Sequence, residues 1–254
     1  ETKGLAVGYT AKKKSTVIAD DIDIKLEKYR LVALLGKNGI GKSTLLRTLT
    51  KVQPKLAGEI ILKEQNLEGI SSKSLSQKIS LVLTERIPES NLTVYELIAL
   101  GRQPYTNWLG TLTDQDISYI DLAIDNTNIR NLIHKKHYEL SDGQLQKVMI
   151  ARALAQNTEI IILDEPTAHL DVHHKIEVFN LLQTLVKKFK KTVILSTHEV
   201  QLALQLADEL WLMNNKQFSY GKTDDLIASG ELSGLFDSQL IKFDVNSKQF
   251  IIKG

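Results

Sequence analysis

A glycine-rich turn between a predicted strand and a predicted helix carries the clearest chemistry in the chain. Residues 36–44 read G-K-N-G-I-G-K-S-T and satisfy the pattern G-x-x-x-x-G-K-[ST] directly after an apolar run at residues 31–35. Glycines let backbone N–H groups approach phosphate oxygens closely, and the helix that follows adds the positive end of its dipole. A purely structural turn is the alternative, but it has no need of the Lys-Ser pair. The turn therefore predicts binding of a nucleoside triphosphate.

The side chains of this turn have separate expected tasks. Lys42 is expected to meet the β- and γ-phosphates, and Ser43 is expected to ligate Mg²⁺. The candidate nucleotide ligands in the turn are Gly36, Lys37, Asn38, Gly39, Gly41, Lys42, Ser43 and Thr44.

Two adjacent carboxylates follow a second apolar run. Residues 160–163 read I-I-I-L and lead into Asp164 and Glu165. Open α/β sheets bind ligands at the carboxyl ends of buried strands, so both acids are candidate site residues. Asp164 is the candidate for holding Mg²⁺. Because side chains alternate along a strand, the side chain of Glu165 is expected to point away from that of Asp164. Glu165 is therefore the candidate general base for an attacking water. A solvated acidic turn is the alternative, and the phosphate-binding turn argues against it.

A short polar motif stands just before the acidic strand. Residues 140–144 read L-S-D-G-Q, and Ser141 and Gln144 have the spacing of a capping box that opens a helix over residues 145–155. The free N–H groups and the dipole of such a helix start are suited to an anion. For Ser141 alone, a plain helix cap would be the better interpretation. Beside the two motifs above, however, the segment resembles the L-S-G-G-Q signature of ABC (ATP-binding cassette) ATPases.

The resemblance covers roughly residues 3–221 and keeps the family's motif order. It implies that Ser141, Gly143 and Gln144 contact the γ-phosphate of ATP held by a second copy of the chain, so that two copies share two ATP sites. Residues 168–171, A-H-L-D, resemble the loop that crosses this dimer interface.

Two single residues gain a role from the same resemblance. His198 follows the apolar run at residues 192–196 and would sense the γ-phosphate. A lone His is usually a surface or core residue, but this one stands at the end of a predicted buried strand. Tyr9 matches an early aromatic residue that stacks on adenine, and a simple edge-strand tyrosine is an equally good interpretation. The implied catalytic residues are Lys42, Glu165 and His198.

The sequence departs from the family pattern at two positions. Where the family has a Gln that contacts Mg²⁺ and relays signals to the permease, the best-aligned residue here is Glu85. A carboxylate is still a possible Mg²⁺ ligand, but its extra charge places the relay role in doubt. Asp142 replaces the first Gly of the signature. This acid favours the helix dipole but would oppose phosphate, so we expect its side chain to point away from the nucleotide.

Short apolar runs alternate with helical stretches along the chain, which favours an α/β fold with a mainly parallel sheet flanked by helices. Strands are predicted at residues 31–35, 79–83, 160–163 and 192–196, helices at residues 93–100 and 114–124, and a hairpin or edge strand at residues 241–252. The resemblance adds a P-loop NTPase core and an antiparallel N-terminal β subdomain. The expected domain plan is a single domain over residues 1–254, with a core at 1–87 and 150–254, a helical signature-bearing subdomain at 88–149 and a C-terminal extension at 221–254.

Composition and charge restrict the partners. Lys and Arg number 32 against 30 Asp and Glu, so no long-range field recruits nucleic acid. The chain has no Cys, which excludes disulfides and thiolate metal sites. No apolar run has the length of about 20 residues that a spanning helix needs, and the first residues do not resemble a signal peptide.

The sequence therefore predicts a Mg²⁺- and ATP-dependent hydrolase, and the resemblance implies that it works at the cytoplasmic face of the inner membrane. The resemblance implies a dimer bound to membrane permease subunits and, indirectly, to a substrate-binding protein. Residues 92–102 further resemble ATPases that import iron-siderophore complexes, haem or cobalamin, although any amphipathic core helix has similar spacing. The alternatives are a soluble ABC ATPase acting on ribosomes or chromosomes, and an exporter ATPase.

Overall fold

The computed structural model describes residues 1–11, 14–84, 90–214, 217–236, 241–245 and 247–252. Its strands are β1 Thr2–Ala11, β2 Lys14–Ile22, β3 Leu31–Gly36, β4 Ala57–Leu62, β5 Gln65–Asn66, β6 Ile79–Val82, β7 Ile160–Asp164, β8 Thr192–Ser196, β9 Glu209–Asn214, β10 Gln217–Gly221, β11 Ile241–Asp244 and β12 Gln249–Ile252. Its α-helices are α1 Lys42–Leu49, α2 Ser72–Ser76, α3 Val94–Ala99, α4 Asp114–Asn126, α5 Asp142–Ala155, α6 Val172–Lys187, α7 Val200–Leu206, α8 Thr223–Ala228 and α9 Glu231–Phe236. Short 3₁₀ helices occupy Leu67–Gly69, Leu100–Arg102, Arg130–Leu132 and His137–Glu139.

The chain forms two compact units, one of residues 1–70 and 194–254 and one of residues 71–193. In the first unit β1, β2, β4 and β5 make an antiparallel sheet in the order β2-β1-β4-β5, and β3 pairs in parallel with β9. Every residue of β3 is buried, as a strand covered on both faces requires. The predicted C-terminal hairpin is confirmed, since β11 pairs antiparallel with β12.

The second unit combines one parallel strand pair with helices. β6 pairs in parallel with β7, and α3 and α4 both pack against α5. The expected α/β fold with an antiparallel N-terminal sheet is therefore confirmed. The four predicted strands are confirmed to within one residue at each end, and the predicted helices at 93–100 and 114–124 are found as α3 and α4. Among the described residues, none of the helices combines the length and the hydropathy needed to cross a bilayer.

A buried ion pair joins three segments of the second unit. The Nε atom of Arg102 donates to Oδ1 of Asp116 at 2.8 Å, and Nη1 donates to the carbonyl oxygen of Ala155 at 2.8 Å. Both ionic side chains are only 4% exposed. The rings of Tyr105 and Tyr119 lie 3.9 and 4.6 Å from the guanidinium carbon and shield it from water. This arginine fixes the C-terminal end of α5 against α4.

Replacing Arg102 by Met is expected to lower the free energy of unfolding by about 3–5 kcal/mol, because Asp116 would keep a buried charge without its cation. Urea denaturation measures the loss. The matched control is Arg130→Met, because Arg130 also pairs with acids of α4 but is half exposed. Arg130→Met should lower the free energy of unfolding by only a small fraction of that amount. Equal losses in the two variants would contradict the role of burial.

The same ion pair predicts the direction of a pH effect. Burial raises the pKa of Asp116, but hydrogen bonds from Thr113 and Arg102 outweigh burial and hold the pKa below its usual value. A carboxyl whose folded pKa is lowered contributes stability above its unfolded pKa, and this contribution is lost as the pH falls through the folded pKa.

Candidate functional site

The phosphate-binding turn needs glycine at three positions for different physical reasons. Gly39 and Gly41 adopt φ values of +73° and +110°, which residues with a side chain rarely adopt. A Cβ atom on Gly41 would lie 2.1 Å from Cγ2 of Ile18, and one on Gly36 would lie 2.7 Å from the carbonyl oxygen of Met213. Glycine is thus required by close packing at Gly36 and Gly41 and by a positive φ at Gly39 and Gly41, while residues 37–39 between them are exposed.

Lys42 lies at the centre of this turn and is only 4% exposed. Its Nζ atom donates to the carbonyl oxygens of Gly36 at 3.0 Å and Lys37 at 3.3 Å. Nζ also lies 3.3 Å from Nε2 of His198. An ammonium group has no acceptor, so Nε2 carries the lone pair in this arrangement. The structure thus brings together two of the three predicted catalytic residues.

His198 owes its position to the end of β8. The backbone N–H of Thr197 donates to the carbonyl oxygen of Leu34 at 3.1 Å, and the hydroxyl of Thr197 accepts from the N–H of Glu199 at 3.0 Å. These bonds hold the residues on either side of His198, whose side chain is exposed. The imidazole is therefore accessible beside the buried lysine.

The remaining predicted ligands of the turn differ in exposure. Lys37, Asn38 and Gly39 are exposed, whereas Ser43 is half-buried. Thr44 is buried, and its hydroxyl lies 2.5 Å from the hydroxyl of Tyr9. Residues 37–39 of the turn are thus open to a ligand, whereas the end of the turn that enters α1 is packed within the first unit.

Tyr9 lies in β1, where it is the partner of Thr16 in β2, whereas the pairing of β1 with β4 runs only from Thr2 to Ala6. This end of β1 is thus paired on one side, and the interpretation of an edge-strand tyrosine stays open. Tyr9 is 53% exposed even though its hydroxyl bonds to Thr44. Stacking on adenine stays a prediction.

The acidic residues stand at the carboxyl end of β7. Asp164 is the last residue of the strand and is 3% exposed, and its carbonyl oxygen accepts from the hydroxyl of Thr84 at 2.8 Å. Glu165 follows with φ at +47°, and its carbonyl oxygen accepts from the N–H of Ala168 at 3.1 Å. Because Glu165 lies in a tight turn after the strand, this turn and not strand alternation sets its direction. Thr84, which fixes the strand end, was not identified from the sequence.

Glu165 borders a cavity of about 310 Å³ within the second unit. Its other walls come from Leu83 and Thr84, from residues 168–170 and from the first turns of α5, including Asp142 and Gln146. The Nε2 atom of Gln146 is buried without a hydrogen-bond partner among the described residues. This cavity places the candidate base beside the start of the signature helix.

The signature motif forms the predicted capping box. Ser141 Oγ accepts from the N–H of Gln144 at 3.3 Å, and Gln144 Oε1 accepts from the N–H of Ser141 at 3.2 Å. The helix begins at Asp142, whose side chain is exposed, and Gly143 is buried. The local geometry is confirmed, while contact with a nucleotide stays a prediction for Ser141, Gly143 and Gln144, as does the direction of Asp142.

Mg²⁺ suits the donors that the sequence singles out, because Ser43 and Asp164 offer the oxygen ligands this ion prefers. Across the described part of the chain, no cluster of three or more His, Cys, Asp or Glu side chains is placed to hold a metal ion. Mg²⁺ usually binds through one or two carboxylates together with water and substrate phosphates, so a single hydroxyl and a single carboxylate suit it by their chemistry. Glu85, the third predicted ligand, lies outside the described residues.

Comparisons with known proteins agree on one family. Residues 19–168 match the family model described as ABC transporter. The chain is 34% identical to the achromobactin transport ATP-binding protein of Dickeya dadantii, over 95% of this chain and 85% of that protein. It is also 34% identical to the iron(3+)-hydroxamate import ATP-binding protein of Bacillus subtilis, over 81% of this chain and 75% of that protein.

A solved structure shares the fold over almost the whole length. The inward-facing conformation of a putative metal-chelate type ABC transporter includes a chain with a TM-score of 0.80 and 27% identity, covering 98% of this chain and 94% of that chain.

Proposed function

This chain belongs to the ABC transporter family and is an ATP-hydrolysing cassette, and from that premise we propose that it drives import of an iron–siderophore chelate through a membrane permease. The importer and cargo parts of the proposal rest on the relatives, whose names specify achromobactin transport and iron(3+)-hydroxamate import. Haem and cobalamin are the other cargoes that the sequence resemblance allows.

The observation that carries the catalytic part is the preformed phosphate-binding turn. Residues 37–39 of the turn are exposed, and the buried ammonium of Lys42 already points into the turn, since it bonds two of the turn's own carbonyl oxygens. In the proposal the turn and Lys42 bind the phosphates of ATP. Tyr9 stacks on the adenine ring.

The proposed chemistry divides the remaining tasks among few side chains. Ser43 and Asp164 hold Mg²⁺, which when bound neutralises charge on the phosphates. Glu165 accepts a proton from the attacking water, and its position at a tight turn beside a cavity allows a water to reach it. His198 contacts the γ-phosphate, so that both binding and hydrolysis change the environment of its imidazole. Glu85 is proposed as a further contact to Mg²⁺.

The proposed working unit is a pair of chains that share two ATP molecules. Ser141, Gly143 and Gln144 of one copy contact the γ-phosphate held by the other copy. The start of α5 supports this role, because its first N–H groups and its dipole favour an anion. Closing of the pair on ATP and opening after hydrolysis would move the bound permease at the cytoplasmic face of the membrane.

Purification of the complex tests the proposal. A tagged Glu165→Gln variant, which is expected to retain ATP, is recovered with ATP from gently solubilised native membranes, and the bound proteins are identified by mass spectrometry. We expect a protein with many membrane-spanning helices, and cells carrying the variant should take up less iron from an iron–hydroxamate complex. Recovery of ribosomal or chromosomal proteins alone would reject the transporter, and normal uptake of the chelate would reject the cargo.

A further inference from the structure

The first turn of α5, which carries the signature motif, packs against the imidazole ring of His174 in α6. A Cβ atom built on Gly143 would lie 2.6 Å from Cδ2 and 2.9 Å from Cγ of His174. The backbone of Gly143 does not have a positive φ, so space and not conformation demands glycine here. Gly143 is buried by this contact although its neighbours Ser141 and Asp142 are exposed.

Asp171 holds that ring in place. Its Oδ1 atom accepts from the backbone N–H of His174 at 2.9 Å, which caps α6, and its Oδ2 atom lies 2.8 Å from Nδ1 of the same residue. These two hydrogen bonds keep the pKa of Asp171 below its usual value, and the bond from the backbone N–H has the larger effect. Because one carboxylate binds both the backbone and the ring of His174, the ring cannot turn away from Gly143 without losing a charge-assisted hydrogen bond.

A second contact continues the same pairing of helices. One turn further along each helix, Nζ of Lys147 lies 2.8 Å from Oε2 of Glu177. The helix start that carries the signature is thus attached to α6 at two successive points. Asp171 also ends the loop that begins after Glu165, and residues 168–170 of this loop line the cavity beside Glu165.

We propose that His174 is a positioning residue for ATP hydrolysis: its ring, fixed by Asp171, sets where the first turn of α5 stands relative to the loop that follows Glu165. The inference rests on the proposed function, in which Gly143 contacts ATP and Glu165 activates water. The turn must lie within a fraction of an ångström of its place, because small displacements of positioning groups cost large factors in rate.

His174→Ala removes the support, and His174→Asn keeps a donor to Asp171 together with an atom near the position of Cδ2. The matched control is His173→Ala, because the side chain of His173 is 79% exposed and does not carry the contact with Gly143. Hydrogen exchange of residues 141–146 is measured first, without nucleotide. We expect His174→Ala to speed exchange about five- to tenfold, and His174→Asn and His173→Ala to leave it near the original rate.

A paired substitution isolates the contact itself. Gly143→Ala should speed exchange of the same residues when His174 is present, because the new methyl group meets a ring that Asp171 holds in place. In the His174→Ala background the same change should slow exchange, because space is then available and Ala favours the helix over Gly. If Gly143→Ala changed the exchange rate in the same direction in both backgrounds, the contact between Gly143 and His174 would be contradicted.

Steady-state ATP hydrolysis gives the second readout. His174→Ala should lower kcat by about tenfold or more and change the KM for ATP by less than about twofold, since the phosphate-binding turn is untouched. His174→Asn should restore most of kcat. Faster exchange with unchanged kcat would overturn the positioning role, as would equal kcat values for His174→Ala and His173→Ala. Absence of hydrolysis by the unaltered protein would reject the proposed function instead, and the exchange data would still decide whether the ring supports the turn.

Discussion

Replacing Glu165 by Gln is expected to lower ATP turnover by about 10³-fold while ATP affinity stays within about twofold. The amide has nearly the shape of the carboxylate but cannot accept the proton of the attacking water. Binding should persist because the phosphate-binding turn and Lys42 are unaltered. The change thus separates binding from hydrolysis.

Phosphate release and equilibrium binding of a fluorescent ATP analogue provide the two measurements. Glu159→Gln is the matched control, because this exposed acid stands beside the opposite end of β7. It removes the same charge at the same strand without touching the proposed water. If Glu165→Gln hydrolysed ATP at the original rate, Glu165 would not be the general base.

Replacing Lys42 by Ala is expected to weaken ATP binding by about 10²-fold and to abolish measurable turnover, because each hydrogen bond to a charged group is worth roughly 1.5–3 kcal/mol. The buried ammonium is the cation that the structure holds inside the turn. Its loss removes both a bond to phosphate and the charge that favours phosphate there.

Isothermal titration with ATP checks this result, and the urea midpoint shows whether the variant is folded. Lys28→Ala is the matched control, since Lys28 is an exposed lysine outside the turn. Unchanged ATP affinity in folded Lys42→Ala would contradict the assigned role of the turn. Together with Glu165→Gln, this variant gives one protein that binds without turnover and one that does not bind.

Features set by neighbouring residues could be predicted from the sequence. The capping box of Ser141 and Gln144 spans four residues, so its spacing alone specifies the hydrogen bonds. The strand over residues 192–196 is found with the predicted bounds because an apolar run between polar residues has few alternatives. The phosphate-binding turn is similarly local, since its glycines and Lys42 are consecutive parts of one motif.

Contacts between distant residues could not be predicted in this way. Arginine is usually a surface residue, and only the structure shows that Asp116, two tyrosines and the end of α5 surround Arg102. The sequence around His174 gives no sign that its ring meets Gly143, which lies 31 positions earlier in the chain. The family resemblance implied an antiparallel N-terminal β subdomain but not its strand order, because sheet order depends on residues far apart in the chain.

The hydrogen bonds of Lys42 also bear on the entropic cost of binding a phosphate. Two carbonyl oxygens of the turn fix the ammonium in one place, which removes most of the rotamer freedom of a long side chain. A lysine that is already ordered has little further freedom to lose when it binds an anion, so preorganisation would favour affinity here.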